Sequence, residues 1–288
     1  MLVIGSRGFL GSCVARAALA DFEVIEGNRT ATGRPGEVAI DIRDQGSVNA
    51  AFRRARPNVV LLFAAISDID RCQQFPEEAR AVNTRGAEHV ADACARTNAR
   101  LLFTSTGAVF DGRKHGYSED SSVSPVSVYG ETKAEAETLV LGLGSLAIVV
   151  RISLAIGFAG RPGTNAILDS LKRRWESGQT VAFPVFEQRN PIDAVTLSRF
   201  VLDLLKKQET QGIFHVGSKD PITRYDLGLK LASRMGYINQ VQPQQEPTPG
   251  RAPRGPDHWL LTDKLRTTSP IPIPTCDEVI ERCFDGLA

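Results

Sequence analysis

Residues 2–11 read Leu-Val-Ile-Gly-Ser-Arg-Gly-Phe-Leu-Gly: a short apolar run, glycines at positions 5, 8 and 11, and the start of a helical pattern. Few folds use such a join. One glycine turns the chain sharply, a second lets a ligand approach the backbone, and a third lets the helix lie close against the strand. The helix that begins there also offers unbonded N–H groups and the positive end of its dipole, a seat suited to phosphate. Gly5, Ser6, Arg7, Gly8, Phe9, Leu10 and Gly11 are therefore candidate phosphate-binding residues.

The same alternation continues along the chain. Apolar runs at 22–26, 38–40, 59–63 and 100–104 follow one another with helical patterns at 9–20, 47–56 and 77–96 between them, and a helix at 128–141 leads to a strand at 146–152. Short, continuously apolar strands separated by helices predict an α/β fold, a doubly wound parallel sheet covered on both faces. A glycine turn after the first strand of such a series makes it a Rossmann-type dinucleotide site. Beyond Arg151 the texture changes. Gly157, Gly160, Pro162 and Gly163 form a loop, helices are expected at 165–177, 193–207 and 225–235, and strands near Val181 and Ile213. A Pro- and Gln-rich loop at 242–256 precedes a short amphipathic helix at 276–284. The expected organisation is a dinucleotide-binding domain at 1–155 and a smaller substrate-binding region at 156–288, interleaved with it.

Composition narrows the function classes. With 42% hydrophobic and 23% charged residues among 288, the chain can bury a large core. A net charge of +1 without a long basic run argues against nucleic acid. No apolar stretch has the length of a membrane span, and with the first strand starting at Leu2 no secretory leader is expected. Cys13, Cys72, Cys94, Cys276 and Cys283 are scattered and read as reduced thiols, so a cytoplasmic protein is expected. His89 and His115 lack a second ligand at metal spacing, His215 ends an apolar strand as a satisfied histidine would, and no metal is expected.

Tyr129 and Lys133 lie four residues apart, hence on one face of the 128–141 helix. A free phenol titrates near pH 10, and a nearby ammonium favours the phenolate, which makes such a pair a workable acid and base. Upstream, the run Leu101-Leu102-Phe103-Thr104-Ser105-Thr106 ends in hydroxyls, and Thr106 is placed to hold a reacting carbonyl oxygen toward Tyr129. Thr106, Tyr129 and Lys133 are the catalytic candidates, with Lys133 and Tyr129 also touching the cofactor.

Cofactor choice turns on Glu26-Gly27-Asn28-Arg29-Thr30 after the second strand. Arg29, with Arg7 as a second donor, is suited to a ribose 2′-phosphate, and Asn28 is expected beside it. Glu26 would repel that phosphate, but Gly27 should let the chain turn so that Glu26 points away. NADP(H) is expected ahead of NAD(H).

In their order and spacing, the glycine turn, the hydroxyl-bearing strand end and Tyr-x-x-x-Lys resemble the extended short-chain dehydrogenase/reductase family across essentially the whole chain. Asp41-Ile42, Phe63-Ala64-Ala65 and Val82-Asn83 fit the same resemblance. It implies that Asp41 and Ile42 lie near the adenine, and that Phe63, Ala64, Ala65 and Asn83 contact the dinucleotide. Within the family the chain looks most like the dTDP-4-dehydrorhamnose reductase branch. Thr106–Gly112 (TGAVFDG) is similar to a hydroxyl-D-Y-V-F-x-G stretch, and RGPDHWL at 254–260 with Lys264-Leu265 is similar to RPxNSxL…KL. Gly107, Ala108, Gly255, Asp257 and His258 depart from those patterns where substrate should lie.

The branch reduces a 4-keto group on a deoxythymidine-diphosphate sugar with NAD(P)H, and also includes the non-catalytic regulatory beta subunit of methionine adenosyltransferase. The resemblance thus implies an oxidoreductase whose partner is a small molecule, a nucleotide sugar, and it admits a homodimer. Substrate contacts are expected from Thr106, Gly107, Ala108, Asn165, Arg189 and Arg254, with Arg251 a further cation for a diphosphate. The competing expectations are a non-catalytic NADP(H)-binding regulatory subunit and a sugar-nucleotide epimerase or dehydratase. Such dehydratases carry an extra acid or base beside the catalytic hydroxyl, which Gly107 and Ala108 do not supply.

Overall fold

The computed structural model describes residues 1–158 and 166–285. Seven parallel strands form its central sheet. Six are β1 (Leu2–Ile4), β2 (Ile25–Asn28), β3 (Glu37–Ala39), β4 (Val59–Leu62), β5 (Arg100–Thr106) and β6 (Ala147–Ile152), and the seventh is Gly212–Val216. The spatial order runs from Gly212–Val216 through β6, β5, β4, β1 and β2 to β3. β1 therefore pairs with both β2 and β4, with Ile4 level with Gly27 on one side and Leu62 on the other. The winding direction reverses there, and the crevice at the carboxyl ends of β1 and β4 is where such sheets bind ligands.

Side-chain alternation sorts the strands onto two cores. Val3, Leu61, Leu102 and Ile148 face one side, while Leu2, Ile4, Val60, Leu62, Leu101 and Phe103 face the other. The first core is shared with the C-terminal half, since Trp175, Phe200, Leu231 and Val279 pack into it. Helices α1 (Phe9–Ala18), α2 (Gln45–Ala55), α3 (Ile69–Gln74), α4 (Pro76–Ala79), α5 (Gly86–Thr97) and α6 (Val128–Leu141) accompany the first six strands.

Several element bounds differ from the sequence expectation, each for a local reason. The second strand falls at Ile25–Asn28 and not at 22–26, because Phe22 still bonds the Ala18 carbonyl at the end of α1 and Leu2 aligns with Ile25. The helix expected at 77–96 is α4 and α5 joined by a wider π-turn over Arg80–Arg85, which contains Asn83. The strand expected to stop at 104 continues to Thr106, level with Ile152. In the expected loop at 242–256, Val241–Gln244 pairs as a strand with Val181–Pro184. α3 was not foreseen; Asp68 caps it by accepting the Arg71 N–H. Among the described residues no helix is long and apolar enough to cross a membrane.

α6 is fixed to the sheet by a buried ion pair. Glu137 accepts from Arg151 of β6 at 2.9 and 2.7 Å, and both side chains are almost fully enclosed. Removing one member of such a pair leaves a buried charge without compensation. Glu137→Leu is expected to cost roughly 3–5 kcal/mol of stability in urea denaturation at neutral pH, far above the effect of a surface substitution. A loss below about 1 kcal/mol would show that Arg151 finds water or another partner.

Candidate active site

Gly5 adopts φ +87°, and a Cβ there would stand 2.7 Å from the Ala64 nitrogen. A Cβ on Gly11 would run into the Gly5 carbonyl oxygen, so α1 can lie on the turn only with glycine at that position. Gly8 precedes α1 in extended conformation, and no side chain caps the helix, which leaves its first-turn N–H groups for a ligand. Phe63 and Ala64 both donate to the Ile4 carbonyl, holding the end of β4 beside the turn. A cavity of about 500 Å³ opens here, lined by Gly5, Arg29, Asp41, Ile42, Ala64 and Ala65.

One sequence expectation needs correction at this turn. Glu26 does not point away: its carboxylate accepts from the buried Ser6 hydroxyl at 3.0 Å. Asn28 shares that network, donating to Ser6 Oγ at 2.7 Å and accepting the Arg7 N–H at 3.1 Å. The reason is strand periodicity: residues 26 and 28 share a face of β2, and that face looks onto the glycine turn. Arg7 itself donates to Thr30 at 3.2 Å and pairs with Glu37 at 3.5 Å. Arg29 is exposed at the cavity rim, where its charge helps to hold Asp41 in the ionised form. Asp41 accepts a fork from Arg43, and that bonding lowers its carboxyl to about 2.

Asn83 is a brace and does not line the cavity. Its buried amide accepts the Ile66 N–H at 2.8 Å and donates to the Ile66 carbonyl and to Thr132 Oγ1. The loop after β4 is thereby tied to α6.

α6 starts where the catalytic candidates meet. Ser127 caps it by accepting the Gly130 N–H at 3.2 Å. A Cβ at position 130 would run into the Ala108 carbonyl oxygen, so the tyrosine-bearing helix rests directly on the turn that follows β5. The Tyr129 phenol stands beside the Thr106 side chain, whose Oγ1 accepts the Ala108 N–H at 3.1 Å. Burial pushes the phenol up to about 12, and Thr106 offsets this in part. Lys133 is buried, its Nζ 3.9 Å from the centre of the Phe103 ring. Burial brings its ammonium down to about 7, with Glu137 one turn along opposing the change. The expectation that Lys133 lowers the phenol is therefore corrected for this state of the site. Desolvation dominates both groups, and at neutral pH Tyr129 carries its proton.

A second cavity, of about 380 Å³, is lined by Thr106, Ala108, Ser153, Arg174, Arg224 and His258, together with Arg189, Arg251 and Arg254. Arg189 is buried and bound to Glu187 at 3.0 Å and to the carbonyls of Gln188, Gly255 and Pro256. Arg251 and Arg254 both bond Asp70 of α3. Arg174, Arg224, Ser153 and Asp70 were not singled out from the sequence. Their positions are brought together only by packing, and no local pattern marks them. Asn165 lies outside the described residues.

The whole chain, residues 1–288, matches the model of the family described as RmlD substrate binding domain. It is similar to the dTDP-4-dehydrorhamnose reductase of Aggregatibacter actinomycetemcomitans, 26% identical over 266 residues that cover 88% of each chain. It is also similar to methionine adenosyltransferase 2 subunit beta of Xenopus laevis, 25% identical over 92% of this chain and 80% of that protein. The fold superimposes on the crystal structure of dTDP-4-dehydrorhamnose reductase from Bacillus anthracis in complex with NADP, with a TM-score of 0.89 and 22% identity over 99% of this chain and 98% of that one.

The departures at 107, 255 and 258 form one coupled set. His258 is buried, its ring stands beside the Phe110 backbone, and Nε2 has no partner among the described residues. A Cβ on Gly107 would come 3.1 Å from His258 Cβ, and one on Gly255 would collide with Nε2. His258 thus crowds side chains at both positions, with its Cβ at 107 and its imidazole at 255, where the Asp111 carbonyl also leaves no room. Burial first, then Arg189, lowers its pKa to about 3, so it is neutral under ordinary conditions. Gly107→Asp is expected to destabilise the protein by about 2 kcal/mol through overpacking. In a His258→Ser background the cost should fall by at least about 1 kcal/mol, read from a double-mutant cycle in urea. Additive costs would mean that the two positions are independent.

Proposed function

The chain belongs to the RmlD substrate binding domain family, and from that premise we propose that it is an NADP(H)-dependent reductase of a keto group on a nucleotide-activated deoxysugar. The observation that carries the reading is the placement of Tyr129 beside Thr106, with Thr106 in the wall of an arginine-lined cavity. Acid chemistry and anion recognition thus share one space.

The residues fit a dinucleotide. Its pyrophosphate matches the uncapped start of α1 and the glycines that leave no room for a Cβ. When bound there, NADPH supplies a hydride for the carbonyl carbon. Thr106 holds the carbonyl oxygen, and Tyr129 delivers its proton to that oxygen as the alcohol forms. A phenol near 12 is fully protonated at neutral pH and therefore loaded for the reductive direction. Lys133 would bond the nicotinamide ribose of a bound dinucleotide, and its ammonium, when charged, favours the phenolate left after proton transfer. Arg251 and Arg254 supply charge-assisted donors for a diphosphate, and Arg189, whose Nη groups are already bonded to Glu187 and backbone carbonyls, adds positive charge beside them.

Steady turnover of NADPH with a panel of dTDP- and UDP-linked keto sugars tests the proposal. NADPH binding without turnover on any of them would favour the regulatory reading suggested by the beta-subunit relatives. Tyr129→Phe should retain fold and NADPH affinity while lowering turnover on the order of 10²–10⁴-fold, and unchanged turnover would remove Tyr129 from the mechanism. Arg29, at the rim beside Asp41, is assigned to the 2′-phosphate. NADPH should be preferred over NADH by about tenfold, equivalent to ~1.4 kcal/mol, and Arg29→Ala should erase most of that preference. A wild type that prefers NADH in kcat/KM would assign the ribose to Glu26 and its neighbours.

A further inference from the structure

Asp70 binds more of the C-terminal half than any motif suggests. From the second residue of α3 its carboxylate accepts from Arg251 Nε and Nη2, both at 3.0 Å, and from Arg254 Nη1 and Nη2 at 3.1 and 2.9 Å. It also accepts the Ala252 N–H at 2.9 Å. Five bonds thus close a loop between residues separated by 181 to 184 positions. These bonds, those of Arg254 foremost, hold the carboxyl far below the usual carboxylate range, so it stays charged at any working pH.

Both arginines line the same cavity as Thr106, and so does Ile69, the neighbour of Asp70. The bonding leaves donors over. A guanidinium has five N–H groups. Asp70 takes two from Arg251, while Asp70 and the Ala252 carbonyl take three from Arg254. Arginine side chains otherwise lose rotamer freedom only when a ligand arrives, and fixing them beforehand removes that cost from binding.

We propose that Asp70 is a positioning residue that holds Arg251 and Arg254 in the cavity wall so that their remaining N–H groups receive the diphosphate of the substrate. The inference rests on the nucleotide-sugar reading above and deepens it, because it names the residue that prepares the anion subsite. Two effects of Asp70 oppose each other. Its charge repels an incoming diphosphate, while its bonds orient the two forks that bind it. Bidentate recognition depends on fork geometry, and the fixed arginines outweigh the repulsion.

Calorimetric titration with dTDP, a nucleoside diphosphate without the sugar, separates these effects. Wild type should bind dTDP, and Asp70→Asn should weaken it by about tenfold or more, the size of one charge-assisted bond, with the NADPH dissociation constant unchanged as the check on folding. In steady state, KM for the keto sugar should rise by a similar factor at constant kcat. Asp70→Glu, which keeps the charge, should recover part of the loss. In an Arg251→Ala/Arg254→Ala background Asp70→Asn should have no further effect, which a general structural role would not produce. Equal or tighter dTDP binding by Asp70→Asn overturns the inference alone. A wild type that binds no nucleoside diphosphate overturns the substrate reading and the inference with it.

Discussion

Close approach of two helix backbones to the carboxyl ends of the strands is the constraint from which the rest of the site follows. α1 lies on the first turn because Gly11 has no side chain to meet the Gly5 carbonyl, and α6 lies on the turn after β5 because Gly130 has none to meet Ala108. One contact exposes helix N–H groups where phosphate can reach them. The other brings a phenol to Thr106. Both sit at the edge of a sheet whose winding reverses between β1 and β4, so the two helices converge on one side of the molecule.

Burial then sets the chemistry. The phenol and the ammonium of α6 are both shifted toward their neutral forms, one up and one down, since each loses water without gaining a strong counter-charge. The arginines are handled differently. Arg151, outside the cavity lining, is matched by Glu137; in the cavity wall Arg189 is matched by Glu187, and Arg251 and Arg254 share the single charge of Asp70. A site arranged this way holds its donors in place before any ligand arrives.

Local signals carried much of this into the sequence. The glycine turn, Tyr129 with Lys133, and the hydroxyl-ended strand were legible because each depends on residues within one turn or one strand. Glu26 was misjudged, and the bonds of Asn28 and Asn83 went unforeseen, for the opposite reason. All three bond backbone or side chains from other segments, Ser6 in one case and Ile66 in another, and nothing in their own neighbourhood records that. His258 shows the same limit. It was visible as a departure, but its dependence on Gly107 emerges only when two distant segments, at 107 and at 255–258, compete for one volume.

By itself the sequence determined the alternation of strands and helices, hence a parallel sheet wound on both faces, and the identity of the groups at each strand end. Periodicity and the steric freedom of glycine are local properties, so they survive without a structure. Tertiary packing decided which charges meet. Asp70 reaches Arg254 across 184 positions, and Arg189 meets the carbonyls of 255 and 256, because the C-terminal segment folds back over the strand ends. Pairings of that kind depend on distances in space, which a linear pattern of residues does not contain.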